Sequence, residues 1–264
     1  MKRMSNDQAA NLRELMNKTK PEEEESTDGK LYAFVGREGS GNTTIVSNIS
    51  NLMAKEGKKI IIIDFNSGIL TTDIFFNVIP NRNMKDIIDG DRSEKEMLLR
   101  ARDNVYIVYA NKVLDLSKEE KELFRAKVDI LRKDADLIFA DIEGVENLGK
   151  LMFFLKDAES IFVTDTDSES IQETYYGIKY LSTNMDLDSA RIIVNKSDSV
   201  ELSDRIIDKL GKTADKFLGI KVEKIGYICR EKEVKDSMRK QKLFTDIYPD
   251  LRSTSEIVAV KDRL

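Results

Sequence analysis

The 264-residue sequence has no histidine and a single cysteine, Cys229, so histidine general bases, Ser-His-Asp triads, His-ligated zinc and an intramolecular disulfide are excluded. Chemistry must come from carboxylates, hydroxyls, amides and basic side chains. Their most informative grouping is Gly36-Arg37-Glu38-Gly39-Ser40-Gly41-Asn42-Thr43, followed by Thr44. It ends a short apolar run and opens a helical pattern, the context of a phosphate-binding loop whose template is Gly, four residues, Gly, Lys, then Ser or Thr. Gly36, Gly41 and Thr43 match, while the lysine position holds Asn42. Glycines let backbone amides turn around phosphate, the helix N-terminus adds its dipole, and the Thr43 hydroxyl is placed for Mg²⁺. A glycine-rich turn before a helix is also commonly just a turn. Asp64 closes the next apolar run. Asp141 follows Leu137-Ile138-Phe139-Ala140, as a Mg²⁺-side carboxylate would, although aspartates at such positions also cap helices. Asn195 ends a further run, where an amide reads a base edge or caps the next helix.

These residues need a scaffold that brings strand ends together. Apolar, β-rich runs cover Leu31 to Val35, Lys59 to Ile63, Val105 to Ala110, Leu137 to Asp141, Ser160 to Thr164, Arg191 to Asn195 and Val222 to Ile228. Segments of 3.6-residue period separate most of them: Thr43 to Lys55, Lys118 to Arg132, Ser168 to Leu181 and Leu202 to Phe217. Strands apolar on both faces and joined through helices predict an α/β fold with a mostly parallel, doubly wound sheet, whose ligands bind at the strands' carboxyl ends. No internal repeat and no second boundary interrupts residues 31–264.

Ahead of this domain, Ala9, Leu12, Leu15 and Met16 make one apolar stripe on a short helix within residues 1–17, with Asp7 at its N-terminal end. Residues 18–30 carry Pro21 and four glutamates, Glu22 to Glu25, and read as a flexible acidic linker. The helix either folds back on its own domain or docks on another protein. A net charge of -5 and a pI near 5.2 give no global basic field, and the mixed-charge segment Arg230 to Lys242 reads as a solvated face, so nucleic acid is not an expected partner. Nothing resembles a signal peptide or an 18-residue apolar span, so the expected compartment is the cytoplasm. The terminal stretch Ser255 to Leu264 is only modestly amphipathic and lends weak support to peripheral attachment at the inner face of a membrane.

Several motifs together resemble the MinD/ParA family of deviant Walker P-loop ATPases, and within it the branch of flagellar-number regulators called FlhG, YlxH or FleN. The family loop Lys-Gly-Gly-x-Gly-Lys-Thr is similar to Arg37-Glu38-Gly39-Ser40-Gly41-Asn42-Thr43. Lys58 to Asn66 resembles the second strand and its Asp-x-Asp switch, with Asn66 in place of the second aspartate, and Ser67 to Asp73 continues the likeness. Ile192-Ile193-Val194-Asn195 is similar to the strand whose Asn lies near adenine. Gly226-Tyr227-Ile228 with Met238 to Lys242 resembles the branch's C-terminal third, Cys229 replacing a proline. Asp7-Gln8-Ala9-Ala10-Asn11-Leu12-Arg13 is similar to the Asp-Gln-Ala-x-x-Leu-Arg motif that binds and activates the signal-recognition-type GTPase FlhF.

The resemblance implies a nucleotide site formed by Gly36, Arg37, Gly39, Gly41, Asn42, Thr43, Thr44, Asp64 and Asn195, with Thr43 and Asp141 on the metal, and ATP or ADP with Mg²⁺ as ligand. It implies that Gln8 enters the partner's GTPase site to orient the attacking water, while Asp7, Leu12, Arg13 and Met16 hold the helix in place. A homodimer is a further implied assembly. The departures weaken the catalytic half. Arg37, Glu38 and Asn42 sum to no net charge where the family loop has two lysines. Losing one charged hydrogen bond to phosphate costs roughly 1.5–3 kcal/mol, or about 10- to 150-fold in affinity. Asn66 lacks the carboxylate that would handle the attacking water, so the expectation is a pseudo-ATPase that regulates an FlhF-type GTPase. The alternative is an active MinD-like ATPase cycling between an ATP dimer and a monomer.

Overall fold

The computed structural model describes residues 28–68, 71–90, 93–185, 187 and 189–264. The expected N-terminal helix with Asp7, Gln8, Leu12, Arg13 and Met16, and nearly all of the acidic linker, lie outside the described residues. One eight-stranded sheet organises the rest: β1 (Lys30–Gly36), β2 (Ile60–Asp64), β3 (Leu99–Arg102), β4 (Val105–Tyr109), β5 (Leu137–Glu143), β6 (Glu159–Thr164), β7 (Ser189–Ser197) and β8 (Lys221–Cys229). Their spatial order is β3-β4-β2-β5-β1-β6-β7-β8, parallel throughout except for β3, which runs antiparallel to β4 at one edge. The α/β, mostly parallel, doubly wound fold is thus as expected.

Eleven α-helices are described: α1 (Asn42–Lys55), α2 (Thr72–Phe76), α3 (Met84–Ile88), α4 (Glu94–Met97), α5 (Lys118–Lys133), α6 (Leu148–Leu155), α7 (Ser168–Asn184), α8 (Val200–Leu218), α9 (Lys232–Arg239), α10 (Phe244–Ile247) and α11 (Arg252–Lys261). The period-two alternation of the strands sorts their side chains into two cores. Leu31, Ala33, Val35, Ile61, Ile63, Ile138 and Ala140 pack with Phe124, Leu151, Ile178 and Leu210 of α5 to α8. Tyr32, Phe34, Ile60, Ile62 and Phe139 face the other way, toward Ile45 and Ile49 of α1 and Ile257 and Val260 of α11. Both faces are therefore dry, the physical reason the strands read as unbroken apolar runs. Ile257 and Val260 place the apolar side of the terminal helix within this packing. No helix among the described residues is long and apolar enough to cross one.

Strand β1 lies between β5 and β6, and the chain leaves its end for α1 on one face, whereas β5 and β6 lead to α6 and α7 on the other. This reversal opens a crevice at the carboxyl ends of β1, β5 and β6.

Candidate functional site

The Gly36–Thr43 loop sits in that crevice. Gly41 has φ 91° and Gly39 φ 79°, both in the left-handed region that glycine adopts without strain. A Cβ on Gly41 would stand 2.2 Å from Asn195 Nδ2, and one on Gly36 would meet Ser40 Oγ at 2.5 Å and Val163 O at 2.9 Å. The loop is thus pressed between β6 and the end of β7. Helix α1 starts with no capping side chain and no acidic residue in its first turn. Its terminal amides and dipole remain available to an anion.

Asn42 occupies the lysine position and is fully buried. Its Nδ2 donates to Phe34 O at 3.0 Å and to Asp141 Oδ1 at 2.6 Å. With acceptors on both contacts, the amide orientation is determined, and Oδ1 is left without a partner. Asp141 is buried two residues before the end of β5; burial first, then the nearby Asp64 charge, push its carboxyl well above the usual range. Thr43 and Asn66 lie close enough to favour its charged form, yet neither reaches hydrogen-bonding geometry: Thr43 Oγ1, Asn66 Nδ2 and Asp141 Oδ2 are all without a hydrogen-bond partner. A buried hydroxyl and a buried carboxylate oxygen, both left without a partner, are oxygen donors of the kind that would hold Mg²⁺. Among the described residues no group of three or more His, Cys, Asp or Glu is arranged for a metal.

Asp64 ends β2 and accepts from Thr72 Oγ1 at 2.6 Å, Thr72 N at 3.0 Å and Asn66 N at 2.9 Å. It fixes the start of α2 from across the loop. Burial raises it, and these bonds pull it back. Asn66 Oδ1 accepts from Glu143 N at 2.8 Å, which ties the β2 loop to the end of β5. Glu143 is raised to about 7 by burial, then by Glu38 and Asp64. Glu38, Asp64, Asp141 and Glu143 thus gather four carboxylates around the phosphate crevice.

The cations are distributed differently from the sequence expectation. Arg37 is turned outward to α7, 2.6 Å from Glu169, 3.2 Å from Glu173 and 3.4 Å from Asp167. The ammonium that does reach the loop belongs to Lys196, whose Nζ donates to Gly39 O. Asn195 neither caps the next helix nor is left free, since its Nδ2 donates to Ser40 O at 2.7 Å and α8 is capped by Ser199. Thr44 is buried in the first turn of α1, where its carbonyl accepts from Asn48. The structure brings Gly36, Gly39, Gly41, Asn42, Thr43, Asp64, Asn66, Asp141 and Asn195 to one crevice and directs Arg37 away from it. Motif position does not single out Lys196 or Glu143; Lys196 directly follows Asn195 near the carboxyl end of β7.

Residues 33–244 match the CobQ/CobB/MinD/ParA nucleotide binding domain. The chain belongs to that family. Its curated relatives include the antiactivator FleN of Pseudomonas aeruginosa, 24% identical over 87% of this chain and 83% of that protein. The flagellum site-determining protein YlxH of Helicobacter pylori is 24% identical over 95% of this chain and 87% of its own length. Among solved structures, MinD from Aquifex aeolicus superposes with a TM-score of 0.69 at 18% identity, covering 88% of this chain and 95% of that one. MinD from Pyrococcus horikoshii, solved as a complex with Mg-ADP, gives 0.67 at 16% identity over 89% and 95%. These solved structures thus share the fold described above.

Proposed function

We propose that this MinD/ParA-family protein is an FlhG-like regulator of flagellar number or placement that binds and stimulates an FlhF-type, signal-recognition-type GTPase, with a nucleotide site that binds weakly and hydrolyses ATP negligibly. Support for the flagellar role comes from the FleN and YlxH relatives together with the Asp7-Gln8-Ala9-Ala10-Asn11-Leu12-Arg13 segment. The observation that carries the weak-site reading is the Asn42 amide, spent on Phe34 O and Asp141 Oδ1 where the family lysine would face phosphate.

The chain's own residues do the following. Loop amides between Gly36 and Thr43 and the N-terminus of α1 bind phosphate. Asn195 and Lys196 brace the loop through Ser40 O and Gly39 O. Thr43 and Asp141 are the residues that would hold Mg²⁺, which when bound neutralises phosphate charge. Neither Asn42 nor Asn66 can take a proton from water or carry charge toward the phosphates, so stabilisation of a phosphoryl-transfer transition state is poor. Regulation then rests on the separate segment 1–17: Gln8 orients the attacking water in the partner's GTPase site, while Asp7, Leu12, Arg13 and Met16 seat the helix.

The test is GTP turnover by the cognate FlhF-type GTPase with the purified full-length chain. Gln8→Ala should remove most of the stimulation and leave binding largely intact, whereas Leu12→Asp should abolish binding by forcing a charge into an apolar contact. A GTPase that the unmodified chain neither binds nor accelerates would sink the proposal. A second reading, an active MinD-like ATPase switching between ATP dimer and monomer, draws on the open pair Thr43 Oγ1 and Asp141 Oδ2, which keeps the metal-side half of a working site. Phosphate release at roughly 1 s⁻¹ or faster would favour it.

A further inference from the structure

The solvent side of α5 carries apolar residues that the core does not take up. Phe124, Val128 and Leu131 bury the opposite side of the helix. Leu123 and Ile130 remain 46% and 47% exposed, and Ala126 between them is exposed as well. Positions i, i+3 and i+7 share one face of a helix, so the three form a continuous apolar strip with a small residue near its centre.

Residues 1–17, for which the sequence predicts a helix, hold a stripe of the same form. Ala9, Leu12 and Met16 repeat the spacing of Leu123, Ala126 and Ile130. Laid parallel on α5, Leu12 falls opposite Ala126, and laid antiparallel it falls one residue away, so in both directions a large side chain meets a small one. The start of the described chain fixes where the segment departs. Gly29 N donates to Arg132 O at 2.7 Å, and Arg132 Nε donates to Gly29 O at 3.1 Å, which anchors that start at the last turn of α5. Residues 18–28 span at most about 36–40 Å and the 16-residue α5 is about 24 Å long, so the segment reaches the strip in either direction. Charge agrees with this placement, since Glu22 to Glu25 precede the anchor and Arg132 and Lys133 make that last turn basic. Exposed pairs hold weakly, so the charges bias position while the apolar strip supplies the grip.

We propose that residues 1–17 dock on the Leu123-Ala126-Ile130 strip of their own chain and are thereby withheld from a partner. The docking stands on the two stripes and the anchor; its regulatory consequence rests on the reading of residues 1–17 as the GTPase-binding segment. Leu12 and Met16 cannot be buried against α5 and against a GTPase at once, so the two contacts compete. A self-contact occupied nine-tenths of the time weakens the apparent affinity for the partner about tenfold.

The experiment places Ala126→Cys in the full-length chain and follows alkylation of the introduced thiol by iodoacetamide. The natural Cys229 is buried, with its thiol pushed up to about 12 by that burial, and stays silent. Docking at nine-tenths occupancy should slow the introduced thiol about tenfold relative to the same chain carrying Leu12→Asp, which forces a charge into the contact. Equal rates with and without Leu12→Asp would overturn the docking. Protection that fades on dilution would assign the strip to a second copy and overturn the contact within one chain. The competition is read separately, by adding the GTPase at saturation, which should restore the fast rate. Protection that the GTPase leaves unchanged would overturn the regulatory half while the docking stands.

Discussion

The hydrogen bonds of Asn42 provide the sharpest test of how the crevice is held together. In Asn42→Ala, Phe34 O and Asp141 Oδ1 lose their 3.0 Å and 2.6 Å donor, and Asp141 Oδ2 already lacks one. A buried acceptor left unpaired costs about 1–3 kcal/mol. Phe34 O belongs to a paired strand and should sit at the low end, while the Asp141 carboxyl should sit at the high end, for a sum of roughly 2–4 kcal/mol. For a chain of this size each kcal/mol moves the midpoint by about 2–4 °C, so the thermal transition should fall by about 5–15 °C. Asn42→Asp supplies the control. Two carboxyls at hydrogen-bond distance share one proton at low pH and repel once both ionise, so this variant should lie near the unmodified protein at pH 5 and well below it at pH 8. The assay is circular dichroism melting at both pH values. A shift under about 2 °C for Asn42→Ala at neutral pH would mean that the amide is not satisfying buried acceptors, and the account of the crevice would be wrong.

Two further outcomes are expected. Asn42→Lys alone should not raise ATP turnover to enzyme-like rates, because Asn66 still lacks a carboxylate and Glu38 still opposes phosphate; Asn42→Lys with Asn66→Asp should do better, measured as phosphate release. Glu143, raised from an ordinary value of 4.5 to about 7, makes the folded state bind more protons than the unfolded state between those values, so its contribution to stability falls as pH rises through that window. Its ionisation also adds negative charge to the crevice: Mg²⁺-free nucleotide should bind more weakly at pH 8 than at pH 6, and Glu143→Gln should flatten that dependence in a titration.

Local pattern by itself determined the scaffold. Seven of the eight strands announce themselves as short runs such as Ile60 to Ile63, because a strand with helices on both faces must be apolar at every position. The glycines and Thr43 after β1 likewise specify a phosphate-type turn, since few other residues tolerate a φ near 90°. The exception is β3, Leu99–Arg102, an edge strand whose alternating and partly exposed residues carry no such signal. What only the tertiary structure decided are contacts between residues far apart in sequence. Asn42 meets Asp141 99 positions away, and Asn195 meets Ser40 155 positions away. Arg37, expected at the phosphates from its place in the motif, instead pairs with Asp167, Glu169 and Glu173 at the start of α7, three carboxylates that only the folded chain brings beside the loop. Motif position states which residues enter the site, but where their charges point depends on partners that only the folded sheet brings within reach.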